Sequence, residues 1–197
     1  MANENVISGV LCYMKVVEPV NKYQSEEKEF TLDLVVDKAT FKEWGKRFPK
    51  QKGKAIDTED FEGIFKIKPP FPDQDEQFVI KMKRPAQYKD GSPLRKQYWP
   101  KVLVRNESGK VVPVAEGVLV ANGSKGQVSF DVTENSYGNF SRLKNILVTD
   151  LIEYKKAGGS DPAADFGLES DNGGDEFASN KSANKAKVEE EDDSIPF

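Results

Sequence analysis

At 197 residues, 31% of them charged and with no apolar run long enough to cross a bilayer, the chain reads as one domain or one domain with a tail. It has no histidine, which excludes Ser-His and Cys-His catalysis and any His-ligated metal, and its single cysteine, Cys12, has no partner for an internal disulfide. The net charge of −4 hides a division: residues 1–156 carry 26 Lys and Arg against 22 Asp and Glu, whereas residues 157–197 carry 3 Lys against 11.

In chain order, Val6 to Val17 reads as a first strand, with Gly9 allowing a bend or bulge and Pro19 ending it. Tyr23 to Glu29 is a polar connection. Phe30 to Asp37 alternates, with Phe30, Leu32, Leu34 and Val36 on one face of a strand. Thr40 has the signature of a helix N-cap, with Glu43 completing a capping box, and Phe41, Trp44 and Phe48 recur at helical spacing before Pro49. That stripe suits packing on a sheet, with ligand contact as the other reading of Trp44. Residues 46–54 form a basic loop without a carboxylate, either a phosphate-facing segment or a solvated turn.

Residues 57–62 are acidic and polar, residues 64–68 read as a short strand, and Pro69 to Pro72 is a rigid connector. Phe78, Ile80 and Met82 face inward on the next strand, while Lys81 and Lys83 face out. Asp90-Gly91 marks a hairpin turn, with residues 98–105 as the return strand carrying Trp99, Lys101 and Arg105 on one face. Further strands are expected at 111–114, at 128–132 with Val128, Phe130 and Val132 inward, and at 143–154, buried on both faces around Ile146 to Val148. A loop over 134–142 joins the last two. Many short strands, Gly and Pro at the turns and one short helix indicate an all-β barrel or sandwich.

After residue 156 the composition shifts to Gly, Ser, Asn, Asp and Ala, and residues 157–197 read as a disordered acidic tail. Glu189 to Asp193 supply five consecutive carboxylates ahead of Ser194 and the apolar tip Ile195-Pro196-Phe197. Such a tip suits a partner pocket that takes the Phe197 ring and pairs its carboxylate with Arg or Lys. The bland reading is a solvated acidic tail. No signal peptide precedes the body, so a cytosolic location is expected and no membrane association. The acidic clusters at 57–62 and 73–76 lack calcium-loop spacing, and Glu153-x-Lys155 is only a fragment of a nuclease pattern. No enzyme, metal or cofactor is expected.

The chemistry that is present pairs rings with cations. Lys81, Lys83, Arg84, Tyr88, Lys89, Arg95, Lys96, Tyr98, Trp99, Lys101 and Arg105 flank one expected hairpin, and Tyr137, Phe140, Arg142 and Lys144 form a second group. Rings interleaved with cations on a β surface suit single strands, because rings stack on unpaired bases while cations follow phosphates. The competing reading puts each ring in the core and each cation on a solvated rim. Stacking on Trp99 or Trp44 is expected to quench tryptophan fluorescence.

The tip from Glu191, Asp192 and Asp193 through Ile195, Pro196 and Phe197 resembles that of bacterial single-stranded DNA-binding proteins. Phe30 to Lys38 ahead of a helix is similar to an early strand and helix of tailed-bacteriophage single-stranded DNA-binding proteins, the short-tailed coliphage type in particular. Gly123 to Asp131, the aromatic loop and Leu147 to Leu151 are similar to their closing strands. The resemblance implies an OB-fold barrel that coats single-stranded DNA in phage replication, recombination and repair, in the host cytoplasm. It also implies that the tip recruits a polymerase, helicase, primase or nuclease, and it is compatible with a homodimer. The helix here follows an early strand, whereas the common OB topology places it between the third and fourth. The reading from another class is an adaptor or inhibitor that docks on a host nucleic-acid enzyme through the acidic tail without binding DNA.

Overall fold

The computed structural model describes residues 5–22 and 24–154. The acidic tail expected over residues 157–197, with its docking tip, lies outside them.

The first strand, β1 (Val6–Asn21), runs past Pro19. It pairs antiparallel with β2 (Lys28–Val36), in which Phe30, Leu32, Leu34 and Val36 are buried as their alternation requires. Between the pairs Cys12↔Asp33 and Lys15↔Thr31, β1 spends three steps against two on β2, so one residue is extra. That bulge lies at Tyr13, whose φ is 44°, and not at Gly9. Gly9 serves a different need: a Cβ there would meet the Val35 carbonyl oxygen at 2.5 Å, so only glycine lets the two strands approach. Pro19 falls in a second irregular stretch, between Lys15 and Val20, where its missing N–H is harmless.

Two α-helices follow where one was expected. In α1 (Lys38–Arg47) the N-cap is Asp37, not Thr40. Asp37 Oδ1 accepts from the Ala39 and Thr40 amides at 2.8 and 2.9 Å, and the Thr40 hydroxyl donates to Oδ2 at 2.7 Å. These hydrogen bonds hold the Asp37 carboxyl below its ordinary range, the Thr40 hydroxyl contributing most. Trp44 and Phe48 are core residues, packed edge-on against Phe130.

The expected acidic loop and short strand at 57–68 are instead an edge strand, β3 (Lys54–Asp57), and α2 (Thr58–Phe65). Glu59 and Asp60 favour the positive N-terminus of α2. Phe61 and Phe65, one turn apart, bury themselves against Cys12, Val35 and Val79 in a small second core outside the barrel. Burial there pushes the Cys12 thiol up to about 12 and leaves it unreactive as a nucleophile.

Next come β4 (Glu76–Pro85), β5 (Lys101–Arg105), β6 (Val111–Pro113), β7 (Ser124–Asn135) and β8 (Gly138–Asp150). The sheet order is β3-β4-β2-β1-β7-β8-β5-β6. Every pairing is antiparallel except β5 with β8. β4 also lies beside β8, and Arg84 Nη1 donates to the Leu143 carbonyl at 3.1 Å, which closes the sheet. The circuit β1-β2-β4-β8-β7 is that of an OB-fold barrel. β4 and β5 act as one third strand, interrupted by residues 86–100.

The expected hairpin return is therefore absent. The Asp90-Gly91 turn forms, with Asp90 Oδ1 accepting from the Ser92 amide at 2.9 Å, but it closes only a small loop bridged at Gln87↔Pro93. Pro85, Pro93 and Pro100 supply no donors for a longer ladder. Residues 96–98 form a 3₁₀ turn, after which the chain resumes its original direction along β8.

The expected loop at 134–142 is mostly ladder: β7 and β8 pair out to Asn135↔Gly138. This projecting end leaves Val132 exposed, against the expectation that it points inward. In β8, Ile146 and Val148 are buried and Leu147 only partly, so one face carries the core. No helix among the described residues is long and apolar enough to cross a membrane.

Candidate nucleic-acid interface

Three connections converge at one mouth of the barrel: the β1–β2 turn, the 86–100 excursion and the β7–β8 hairpin. They enclose a cavity of about 510 Å³ lined by Tyr88, Lys89, Tyr98, Arg84, Arg142 and Lys28. An adjoining cavity of about 410 Å³ shares Pro85 and Arg142 with it and adds Phe140, Lys83, Lys22 and Gln51. Together they form one trough in which the open rings of Tyr88 and Tyr98 and the half-buried ring of Phe140 stand among cations. Tyr88 and Tyr98 are 39% and 47% exposed, enough to offer a ring face while the rest of each side chain is packed.

The trough also holds carboxylates. Lys83 pairs with Glu29 at 3.0 Å and Lys22 with Glu27 at 3.2 Å. The Lys22–Glu27 pair is exposed and worth about 0–1 kcal/mol, so a phosphate can displace Glu27 at little cost. The Glu29 side chain beside Lys83 is mostly buried and holds its partner more firmly. Arg84 is held more firmly, by the Leu143 carbonyl and by Asp131 at 3.7 Å; its buried Nε has no hydrogen-bond partner. Gln51 fastens the loop after α1 to the hairpin: its Oε1 accepts from the Ser141 amide at 2.7 Å.

The remaining sequence candidates fall elsewhere. Trp99 packs on Phe30, with centroids 5.2 Å apart, and its Nε1 donates to the Leu94 carbonyl at 2.9 Å. Lys96 lies over its ring at 5.8 Å. Trp99 is thus a wedge under the excursion, and Trp44 is buried, so neither ring lies open as a fluorescent stacking platform. Arg95 is exposed before the 3₁₀ turn, and Lys101 and Arg105 are exposed along β5, with Arg105 Nη1 on the Gly109 carbonyl at 3.3 Å. Lys144 pairs with Asp131 at 3.0 Å. Tyr137 stands at the hairpin tip, 72% exposed, with Lys50 Nζ 5.2 Å from its ring centre. Sequence reasoning missed Lys22 and Lys28, which flank the β1–β2 turn, because nothing local says that this turn meets residues 60 and 115 positions further on.

Lys81 belongs to a second surface, the outer face of β1, β2 and β4, which meets the trough at Lys83. There the ladder sets Asp33 between Cys12 and Lys81, and Thr31 between Lys15 and Lys83. Burial raises the Asp33 carboxyl above its ordinary value, while Lys81, Lys54, Lys15 and Lys83 pull it back down. A raised folded-state value means that ionisation opposes folding. This contribution to stability is full below the unfolded value, where both states hold the proton, and is lost as pH rises through the folded value. Asp33→Asn is therefore expected to raise the urea midpoint at neutral pH and to lose that advantage below the ordinary aspartate range. An equal midpoint for both proteins at neutral pH contradicts this.

No family model matches the chain, and no curated protein matches it in sequence. Among solved structures it is similar to gp2.5, a single-stranded DNA binding protein encoded by bacteriophage T7. The TM-score is 0.39 at 16% identity, over 87% of this chain and 98% of that one. It is likewise similar to the single-stranded DNA-binding protein from bacteriophage Enc34 in complex with ssDNA, with a TM-score of 0.39 at 16% identity over 76% and 88% of the two chains. A likeness at this level assigns neither activity nor residue roles.

Proposed function

We propose that this chain binds single-stranded DNA through the trough at the barrel mouth, without reading a defined sequence. The observation that carries the reading is the convergence of Tyr88, Tyr98 and Phe140 with Lys22, Lys83, Lys89 and Arg142 on one continuous surface built by three separate connections. Rings stack on unpaired bases, which a duplex does not present, and the cations take the phosphates. Two of these connections, the β1–β2 turn and the β7–β8 hairpin, are those through which OB barrels bind oligonucleotides. In this proposal the protein coats single strands during phage replication, recombination and repair in the host cytoplasm. The acidic residues 189–193 compete with DNA phosphates for the cations, and the Ile195-Pro196-Phe197 tip recruits a replication or recombination enzyme.

The test is fluorescence anisotropy of a labelled thymidine oligomer, since both tryptophans are packed. Binding is expected in dilute buffer, with a log–log salt slope of about −0.7 for each phosphate contacted and much weaker binding to duplex. Deleting residues 189–197 is expected to tighten binding most at low salt. A full chain that ignores the oligomer sinks the proposal; unchanged affinity on truncation sinks its competition part.

A further inference from the structure

The outer face of β1, β2 and β4 forms a shelf next to the trough, and its centre is the wrong charge for a phosphate. Lys83 lines the trough; Lys81 lies two residues back along β4, about 7 Å away. Opposite Lys81 is Asp33, half-buried on β2. Lys15 borders this row on β1, and α2 closes its far end, where Lys54 lies over the Phe65 ring at 5.9 Å. Among the described residues no donor hydrogen-bonds to the Asp33 carboxylate and no ammonium forms an ion pair with it. A solvated rim would leave such a carboxylate out in water, and a structural one would be capped by a donor. This one is set into a β surface between Cys12 and Lys81, with Lys15, Lys54 and Lys83 around it, and has an acceptor edge to spare.

We infer that Asp33, with Lys81 beside it, forms a subsite for the polar edge of an unpaired base that carries an exocyclic amino group. The inference rests on the single-strand reading and deepens it. A base amino group donates to the carboxylate while the neighbouring ring acceptor takes a hydrogen bond from the ammonium; cytosine presents this donor–acceptor order on its pairing edge. Thymine has no amino group and brackets its single N–H between two carbonyl oxygens, which the carboxylate repels. A strand leaving the trough past Lys83 puts its next base within reach of the shelf, so the result is a composition bias and not a sequence motif.

The experiment compares cytidine and thymidine deoxy-homopolymers of one length against the full chain near neutral pH, by anisotropy. The natural protein is expected to favour the cytidine polymer, and Asp33→Asn to lower that preference about tenfold or more, the loss of one hydrogen bond to a charged acceptor. A cytidine polymer dimethylated on N4, which has no amino hydrogens, is expected to lose the same factor on the natural protein, and this arm needs no variant. If Asp33→Asn tightens both polymers equally and the dimethylated polymer binds as well as its parent, Asp33 merely subtracts charge and the inference is wrong. If the natural protein binds neither polymer, the single-strand reading itself has failed.

Discussion

Exchanging Tyr88 and Tyr98 together for alanine is expected to weaken thymidine-oligomer binding by about a hundredfold or more, since stacking is worth about 1–3 kcal/mol per base. The salt slope should stay where it was, because no cation is lost. The urea midpoint should fall only modestly, because the rings are 39% and 47% exposed and the burial lost is partial. Arg142→Ala is the complement, expected to shallow the slope by about 0.7 while leaving stacking intact. Trp99→Ala is the contrasting case. Its ring supports Phe30 and its indole N–H holds the Leu94 carbonyl, so stability falls. Full affinity in the double tyrosine variant would remove the trough from the binding surface.

Phe48→Ala carries the largest expected loss of stability, about 3–5 kcal/mol, which is the range for truncating a buried Phe. Phe48 is fully buried between Trp44, at 4.4 Å between ring centres, and Phe130, at 5.7 Å, and the Arg47 guanidinium lies over its ring at 5.3 Å. The cavity therefore opens where α1 joins β7, a place that cannot collapse without moving the helix. Domains of ordinary stability have about 5–15 kcal/mol in all, so a large share disappears. Urea unfolding measures it; Lys46→Ala, on the exposed side of the same helix, is the control and should change little. A loss below about 1 kcal/mol for Phe48→Ala would mean that α1 is not part of the barrel core.

Legibility followed the range of the forces. The β2 and β4 alternations and the α1 stripe were readable because burial on one face imposes a period of two or of three to four on the residues themselves. The Asp37 cap was misread by three residues because Thr40 offers the same oxygen chemistry; the backbone decided which of the two accepted. α2 was missed because its few apolar residues stand among acids, and only the barrel's outer wall gives Phe61 and Phe65 something to bury against. The 98–105 segment was assigned to the wrong partner. Turn chemistry at Asp90-Gly91 is local, but the competition between β4 and β8 for that strand is not.

The residue order alone determined that the body is β-rich and mildly basic, that rings and cations recur together, and that histidine chemistry is absent, since composition and periodicity are properties of the chain. The tertiary structure alone decided which rings lie open: it turned Trp99 and Trp44 inward, left Tyr88 and Tyr98 at the surface, and gathered Lys22, Lys83 and Arg142 around one mouth. The physical reason is barrel closure. Lys22 and Arg142 share one mouth only when β8 returns beside β4, and no local pattern records that meeting.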